Sequence, residues 1–251
     1  MMLHKRWVKI SLVVLVIGYL SFAKMFAYKM ARCNQDEMIC KWPMIRVTIS
    51  DADQLNFVTQ DDVKELLKDK SVCPDGKRLD HIDTDYMENY LRGKSRIKTA
   101  ECFKTPNGEL RIVVTQREPI LRVKGMYGDF YVDSERKIMP LSSVFTAYVP
   151  IATGYVTKEL ALGDLGEFAL FLRDHSFWNA QIEQIDVAKN GEVTLVPRVG
   201  DQLILMGTLE NYKEKLDKLY ALYVEGFNKI GWNKYKQITL KYEGQVVCTK
   251  K

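Results

Sequence analysis

An apolar run from Val8 to about Ala27, broken only by Lys9 and Lys24 near its two ends, constrains this chain more than any other feature. As a helix it extends about 30 Å, the thickness of one bilayer hydrocarbon core. Trp7, Tyr19 and Tyr28 sit where interfacial anchors belong, and the two lysines can snorkel to the surface. A cleaved signal peptide is the competing reading. It needs a shorter apolar region and a small-x-small cleavage site, which Ala23-Lys24-Met25 and Phe26-Ala27 do not supply. The run is therefore expected to be an uncleaved transmembrane helix over 8–27, with a tail over 1–7 and a polar tether over 28–42. Basic residues flank the run evenly, with Lys5, Arg6 and Lys9 before the core and Lys24, Lys29 and Arg32 in and after it. Charge alone leaves the orientation open. The small mass ahead of the span predicts a cytoplasmic N-terminus, with the bulk of the chain across the membrane.

The formal charge of +5 belongs to this region. Residues 1–32 carry six basic residues and no acid, leaving the remainder at −1. A near-neutral globular part lacks the electrostatic footprint of a nucleic-acid binder. With 47% hydrophobic residues in 251, the chain can bury a substantial core in one or two domains. The five cysteines form no CxxC pair, so neither a zinc nor a redox site is indicated. Cys33 and Cys40 flank a short polar stretch. They are either a disulfide closing a small loop, if that stretch is extracytoplasmic, or two free thiols.

Past the tether, Ile45, Val47 and Ile49 alternate with polar residues as a half-buried strand does. Thr59 and Asp62 form an acidic variant of a capping box ahead of a helix that buries Val63, Leu66 and Leu67. A second helix starts at Asp83, with Tyr86, Met87, Tyr90 and Leu91 on one side. Strands follow at Ile97–Lys104 and from Leu110 through Val114, joined by a turn at Pro106-Asn107-Gly108. The order is β-α-α-β-β. Beyond Pro119 short strands are expected at Ile120–Val123, Phe130–Val132 and Val149–Ala152, then a helix over Leu165–His175. Three more strands follow, Ile182–Val187, Val193–Val196 and Leu203–Met206. A long helix over Leu209–Lys229 carries an apolar stripe of period 3.6, which reads as core. Gln237–Val247 is expected to be one long final strand.

The β-α-α-β-β unit behind a single anchor resembles a POTRA domain. The junction Gln116-Arg117-Glu118-Pro119-Ile120 is similar to the hinge that joins POTRA to the β domain in the FtsQ/DivIB family of bacterial cell-division proteins. Tyr131-Val132-Asp133 with Ile138-Met139-Pro140 resembles that family's hairpin, with Arg136 or Lys137 where a glycine is usual. Val149-Pro150-Ile151-Ala152-Thr153-Gly154 and Ile238-Thr239-Leu240-Lys241-Tyr242 resemble two of its strands. The fold class expected is α+β: an N-terminal transmembrane helix, a POTRA domain at 43–116, then a mostly antiparallel β domain with helices on one face at 117–251. The resemblance implies a non-enzymatic scaffold of the divisome. It stands in the inner membrane at the septum, with its bulk in the periplasm and its tether there. It links early cytoplasmic components to septal peptidoglycan synthesis. The partners implied are FtsB/DivIC- and FtsL-like single-span proteins.

A terminal strand at a sheet edge offers unpaired backbone groups to a partner by β-augmentation. Lys241, Tyr242, Gly244, Gln245, Val246 and Val247 are thus the candidate partner-binding residues. In the family an Arg-Tyr pair of this strand contributes to holding FtsB. Lys241 and Tyr242 stand at those positions, and Tyr242 either meets the partner or faces the core. Arg117 and Pro119 are the candidate hinge. No catalytic residue, metal ligand or cofactor is expected. Asp80-His81-Ile82-Asp83 is better read as a helix start than as a metal cluster. Asp51 and Asp53 read as a solvated turn, and no nucleotide, serine-hydrolase or zinc-protease motif occurs. Another POTRA-bearing envelope assembly protein and a membrane-anchored cell-wall enzyme are the alternatives.

Overall fold

The computed structural model describes residues 15–27, 38–227, 229 and 231–251. Residues 15–27 form helix α1. The first part of the expected span, 8–14, lies outside the described residues. So do most of the tether and Cys33, and with Cys33 the Cys33–Cys40 disulfide. Among the described residues no helix is long and apolar enough to cross a membrane.

The rest of the chain divides into two compact units. One comprises the chain up to Ser50 together with Val58–Thr115; the other comprises Asp51–Phe57 and Gln116–Lys251.

In the first unit, β1 (Ile45–Ile49) alternates buried and exposed as its sequence predicts. Its neighbour is β3 (Leu110–Gln116), which it meets in parallel, and β2 (Ile97–Lys104) completes a sheet of order β1-β3-β2. Two helices lie between β1 and β2 in sequence. Helix α2 (Gln60–Leu66) starts on the predicted capping box. The Asp62 amide donates to Thr59 Oγ1 at 3.1 Å and the Thr59 amide donates to Asp62 Oδ2 at 2.8 Å. Helix α3 (Thr84–Arg92) is capped by Asp83, which accepts from the Tyr86 amide at 2.9 Å. Val63, Leu67, Met87, Leu91 and Ile112 are fully buried between helices and sheet. Leu66 and Tyr86 are not, so the buried faces are narrower than the apolar spacing suggests.

The second unit is built on one nine-stranded sheet of order β12-β11-β10-β9-β8-β7-β4-β5-β6. Its strands are β4 (Pro119–Gly125), β5 (Gly128–Asp133), β6 (Ile138–Met139), β7 (Ile151–Gly154), β8 (Ile182–Val187), β9 (Val193–Pro197), β10 (Leu203–Gly207), β11 (Tyr235–Thr239) and β12 (Val247–Lys250). Five neighbouring pairs are antiparallel. Three are parallel, β4 with β7, β7 with β8 and β10 with β11. Each of the last two requires a crossover. One is supplied by α4 (Lys158–Leu162), α5 (Asp164–Asp174) and α6 (Ser176–Gln181), the other by α7 (Tyr212–Ala221) and a π-helical continuation, Leu222–Phe227. Connections of one hand travelling the same way put their helices on one face. Aromatic contacts hold them side by side there: Phe168 with Tyr212 at 5.1 Å, and Phe177 with Tyr220 at 4.8 Å. One apolar cluster joins Phe168, Leu172, Trp178, Leu216, Leu219 and Tyr223 to the inward side chains of the sheet. The outward side is polar in its middle strands, where Gln184 and Asp186 both bond Thr153.

Four elements of this unit differ from the sequence reading. Helices α4 and α6 fall where that reading places no element, because five or six residues hold too little periodicity to register. The long helix is split, with its last turns widened to π geometry. The expected single strand Gln237–Val247 is a hairpin instead. It breaks at Leu240–Val246, and Gly244 sits at φ 74° in the turn. β12 then returns antiparallel to β11, pairing Ile238 with Cys248 and Thr239 with Val247. A strand residue at positive φ interrupts the ladder, so the glycine turns the chain where the apolar alternation suggested it ran on.

Candidate docking edge

The candidate site is the β11–β12 hairpin at one end of the nine-stranded sheet. Hydrophobic anchoring sets its position. Ile238 and Leu240 are buried in the common core, and Val246 and Cys248 pack against it from the returning arm. The Leu240 amide donates to the Leu205 carbonyl at 2.8 Å, extending the β10–β11 ladder by one residue. β12 pairs with β11 on one side and, among the described residues, has no strand on its other side. An antiparallel strand directs its peptide groups alternately to either side. The far side of β12 therefore presents backbone donors and acceptors without a ladder. The strand is short and ends in Lys250 and Lys251, both features that discourage indiscriminate edge pairing. Lys251 is tied back by its amide to the Lys234 carbonyl and by its ammonium to Asp201 at 2.8 Å.

The six residues singled out from the sequence fall in two groups. Lys241 lies at the end of the first arm. Its ammonium bonds Glu192 at 2.5 Å. That hydrogen bond, followed by one from Asn190, holds the Glu192 carboxyl below its ordinary value. The aliphatic stem of Lys241 crosses Gly207, where a Cβ would stand 3.1 Å from Lys241 Cγ. Lysine here is thus fixed within the domain rather than free. Tyr242 is 55% exposed, which removes the reading that it faces the core. Gly244 and Gln245 are exposed in the turn, Val246 is half-buried, and Val247 opens β12 at 41% exposure. Tyr242 and Val247 are the apolar surfaces the hairpin leaves uncovered.

Sequence reasoning missed β12 itself, since it ended its one long final strand at Val247. The signal that could have found it is Glu243-Gly244: a glycine inside an alternating run marks a bend. Glu192 was also missed, since a partner 49 residues away along the chain leaves no local pattern.

The two hinge residues lie at the start of the second unit. Arg117 is nearly buried. Its guanidinium bonds Asp133 at 2.7 Å and Glu135 at 3.2 Å, while Pro119 begins β4 opposite Asp133. The acids considered for chemistry have structural roles. Asp51 accepts from the amide and side chain of Gln116 at 3.0 and 3.1 Å. Asp80 is held below its ordinary value chiefly by its bond to Arg78. Among the described residues no group of three metal-ligating side chains gathers.

A three-stranded β-α-α-β-β module followed by a mixed sheet with helices on one face defines a POTRA-type module carrying a β-rich domain. Residues 39–115 match the family model described as a POTRA-like domain, and residues 118–249 match the one described as FtsQ/DivIB, C-terminal related. No curated protein matches the chain. The second match covers more than half of the sequence, and the chain belongs to the FtsQ/DivIB family. Both domain families are non-catalytic and point to a scaffold role in cell division.

Proposed function

We propose that this protein is a bitopic divisome scaffold that holds an FtsB/DivIC-like single-span partner, and through it an FtsL-like one, along the outer edge of β12. The anchor is the apolar segment 8–27, with the N-terminus cytoplasmic and the two units in the periplasm at the septum. Arg117 and Pro119 serve as the link through which the POTRA module carries the β domain. The observation that supports the docking reading is the hairpin: among the described residues β12 has no strand beyond it, and the exposed Tyr242 and Val247 flank the turn leading into it. A partner strand added there gains backbone hydrogen bonds along β12, and Tyr242 offers the large amphipathic contact common at binding hot spots. With Lys241 already engaged by Glu192, recognition rests on backbone and Tyr242 rather than on a planar cationic fork.

The test is capture of the FtsB-like partner from membranes by the full chain. Tyr242→Ala should lower capture several-fold. Proline placed in turn at Cys248 and at Thr249 samples both directions of the strand's N–H groups, and at least one variant should abolish capture. Circular dichroism and septal placement of a fluorescent fusion serve as controls for folding and delivery. Undiminished capture by all three variants would remove β12 as the site, and an evenly distributed envelope signal would remove the divisome assignment.

A further inference from the structure

A groove of about 440 Å³ opens on the helix-bearing side of the second unit, where β8 turns into β9 and β10 runs on toward α7. Its floor is apolar: Leu165, Val187 and Val193 are buried, and Leu209 and Tyr212 are half-buried. Its rim carries three exposed carboxylates, Asp164, Glu167 and Glu210, and among the described residues no lysine, arginine or histidine lines it. Several acids elsewhere on the same unit have a cation partner, Glu192 with Lys241, Glu214 with Lys218 and Asp201 with Lys251. Two lysines stand beside the groove: Lys215 bonds the Thr208 carbonyl at 2.8 Å and also interacts electrostatically with Glu210, and Lys213 lies 5.8 Å from the Tyr212 ring, so the rim holds three acids against two flanking cations.

Two of these acids sit in the first turn of α5, where the helix dipole favours negative charge. That account does not reach Glu210, which precedes α7, and it does not explain an open apolar floor beneath the charges. Burial and the neighbouring Glu167 raise the Tyr212 hydroxyl, so it remains a protonated donor at the groove wall. The acids come from different elements across an apolar floor, and among the described residues they gather no metal-type cluster. Exposed carboxylates over an apolar floor suit an extended organic cation with an aliphatic stem, which covers the floor while its head meets the rim.

We propose that this groove is a second docking site, for a partner-protein segment that presents an arginine or lysine between apolar side chains. It is independent of the β12 edge.

The probe is a fluorescent peptide repeating Leu-Arg-Leu, titrated against the full chain in nanodiscs of zwitterionic lipid, with a Leu-Glu-Leu peptide as counterpart. The arginine peptide should bind at least tenfold more tightly. The triple variant Asp164→Asn, Glu167→Gln, Glu210→Gln should erase that preference with unchanged circular dichroism and only a small fall in unfolding midpoint from the lost helix-dipole contacts, and Leu209→Arg should abolish binding. Equal affinity for the two peptides, or a preference that survives the triple variant, would overturn the proposal. Displacement of the peptide by equimolar spermidine would overturn it in favour of a small-polyamine site. Tyr242→Ala should leave peptide binding intact, and the triple variant should leave capture along β12 intact. A failure of either reading is therefore visible without the other, and loss of peptide binding in Tyr242→Ala would overturn the independence of the two sites.

Discussion

Asp133 collects three donors on its carboxylate: the Arg117 guanidinium at 2.7 Å, and the amides of Glu135 and Lys137 at 2.9 and 2.7 Å. With 1% of its surface exposed, it organises the turn from β5 to β6. The same turn places Arg136 at φ 58°, a left-handed conformation that L side chains avoid. The family resemblance marks this stretch as one where glycine is usual, and the structure supplies the reason. Arg136→Gly relieves the local strain but gives the unfolded chain more freedom, and it loses the packing of the Arg136 stem over Gly166. We expect a net stabilisation of about 0.5 kcal/mol, read as a rise in the denaturant midpoint of the full chain at unchanged slope. A fall in the midpoint would mean that the stem's packing outweighs the backbone strain.

At the scale of elements, β12 is the piece whose removal separates folding from docking. Deleting 247–251 leaves β11 as the edge and uncovers Ile238. The loss of a few net ladder hydrogen bonds is expected to cost about 2–4 kcal/mol, measured by urea denaturation, and partner capture should vanish. Retained capture would shift the site to the turn around Tyr242. The elements also divide by how far the sequence revealed them. Strands β1, β8 and β10 were legible because alternation with one buried face writes itself into neighbouring residues, and α2 because Thr59 and Asp62 lie three apart. The β12 hairpin was not, since the apolar alternation of Ile238 and Leu240 resumes at Val246 as if no turn intervened. The parallel pairings, the Lys241–Glu192 bond and the acidic groove depend on residues far apart in the chain. No local period encodes them. Of the candidate docking residues, the sequence reading named Tyr242 and Val247 but not their exposure, which follows from the turn.

At the scale of the molecule, each unit carries a buried acid whose ionisation is strongly suppressed, with Cys40 in the first and Tyr212 and Cys248 in the second raised in the same direction by burial. In the first, burial, with Glu88 adding to it, pushes the Cys102 thiol from 9.0 up to about 12. In the second, burial pushes the Tyr223 phenol from 10.0 up to about 12. The unfolded chain releases these protons at the lower values and the folded one holds them, so stability is undiminished below pH 9 and falls as pH rises toward 12. Because Cys40 and Cys248 are also raised from 9.0, both units should begin to weaken near pH 9, measured by urea denaturation between pH 8 and 11. Cys102→Ser should reduce the loss in the first unit and Tyr223→Phe the loss in the second. A pH dependence untouched by either substitution would assign the alkaline loss to other groups.

The seven residues Asp51–Phe57 follow β1 of the first unit yet pack with the second, where Asp51 meets Gln116 and Phe57 stacks edge-on against Tyr131 at 5.4 Å. A ribosome makes Asp51 65 residues before its partner, a delay on the order of several seconds at translation rates of about 5–20 residues per second. During that interval the loop between β1 and α2 has nothing to settle on. The nascent POTRA module must then carry an unsatisfied strap until the β domain arrives. The order of synthesis thus makes the N-terminal module wait for the C-terminal one.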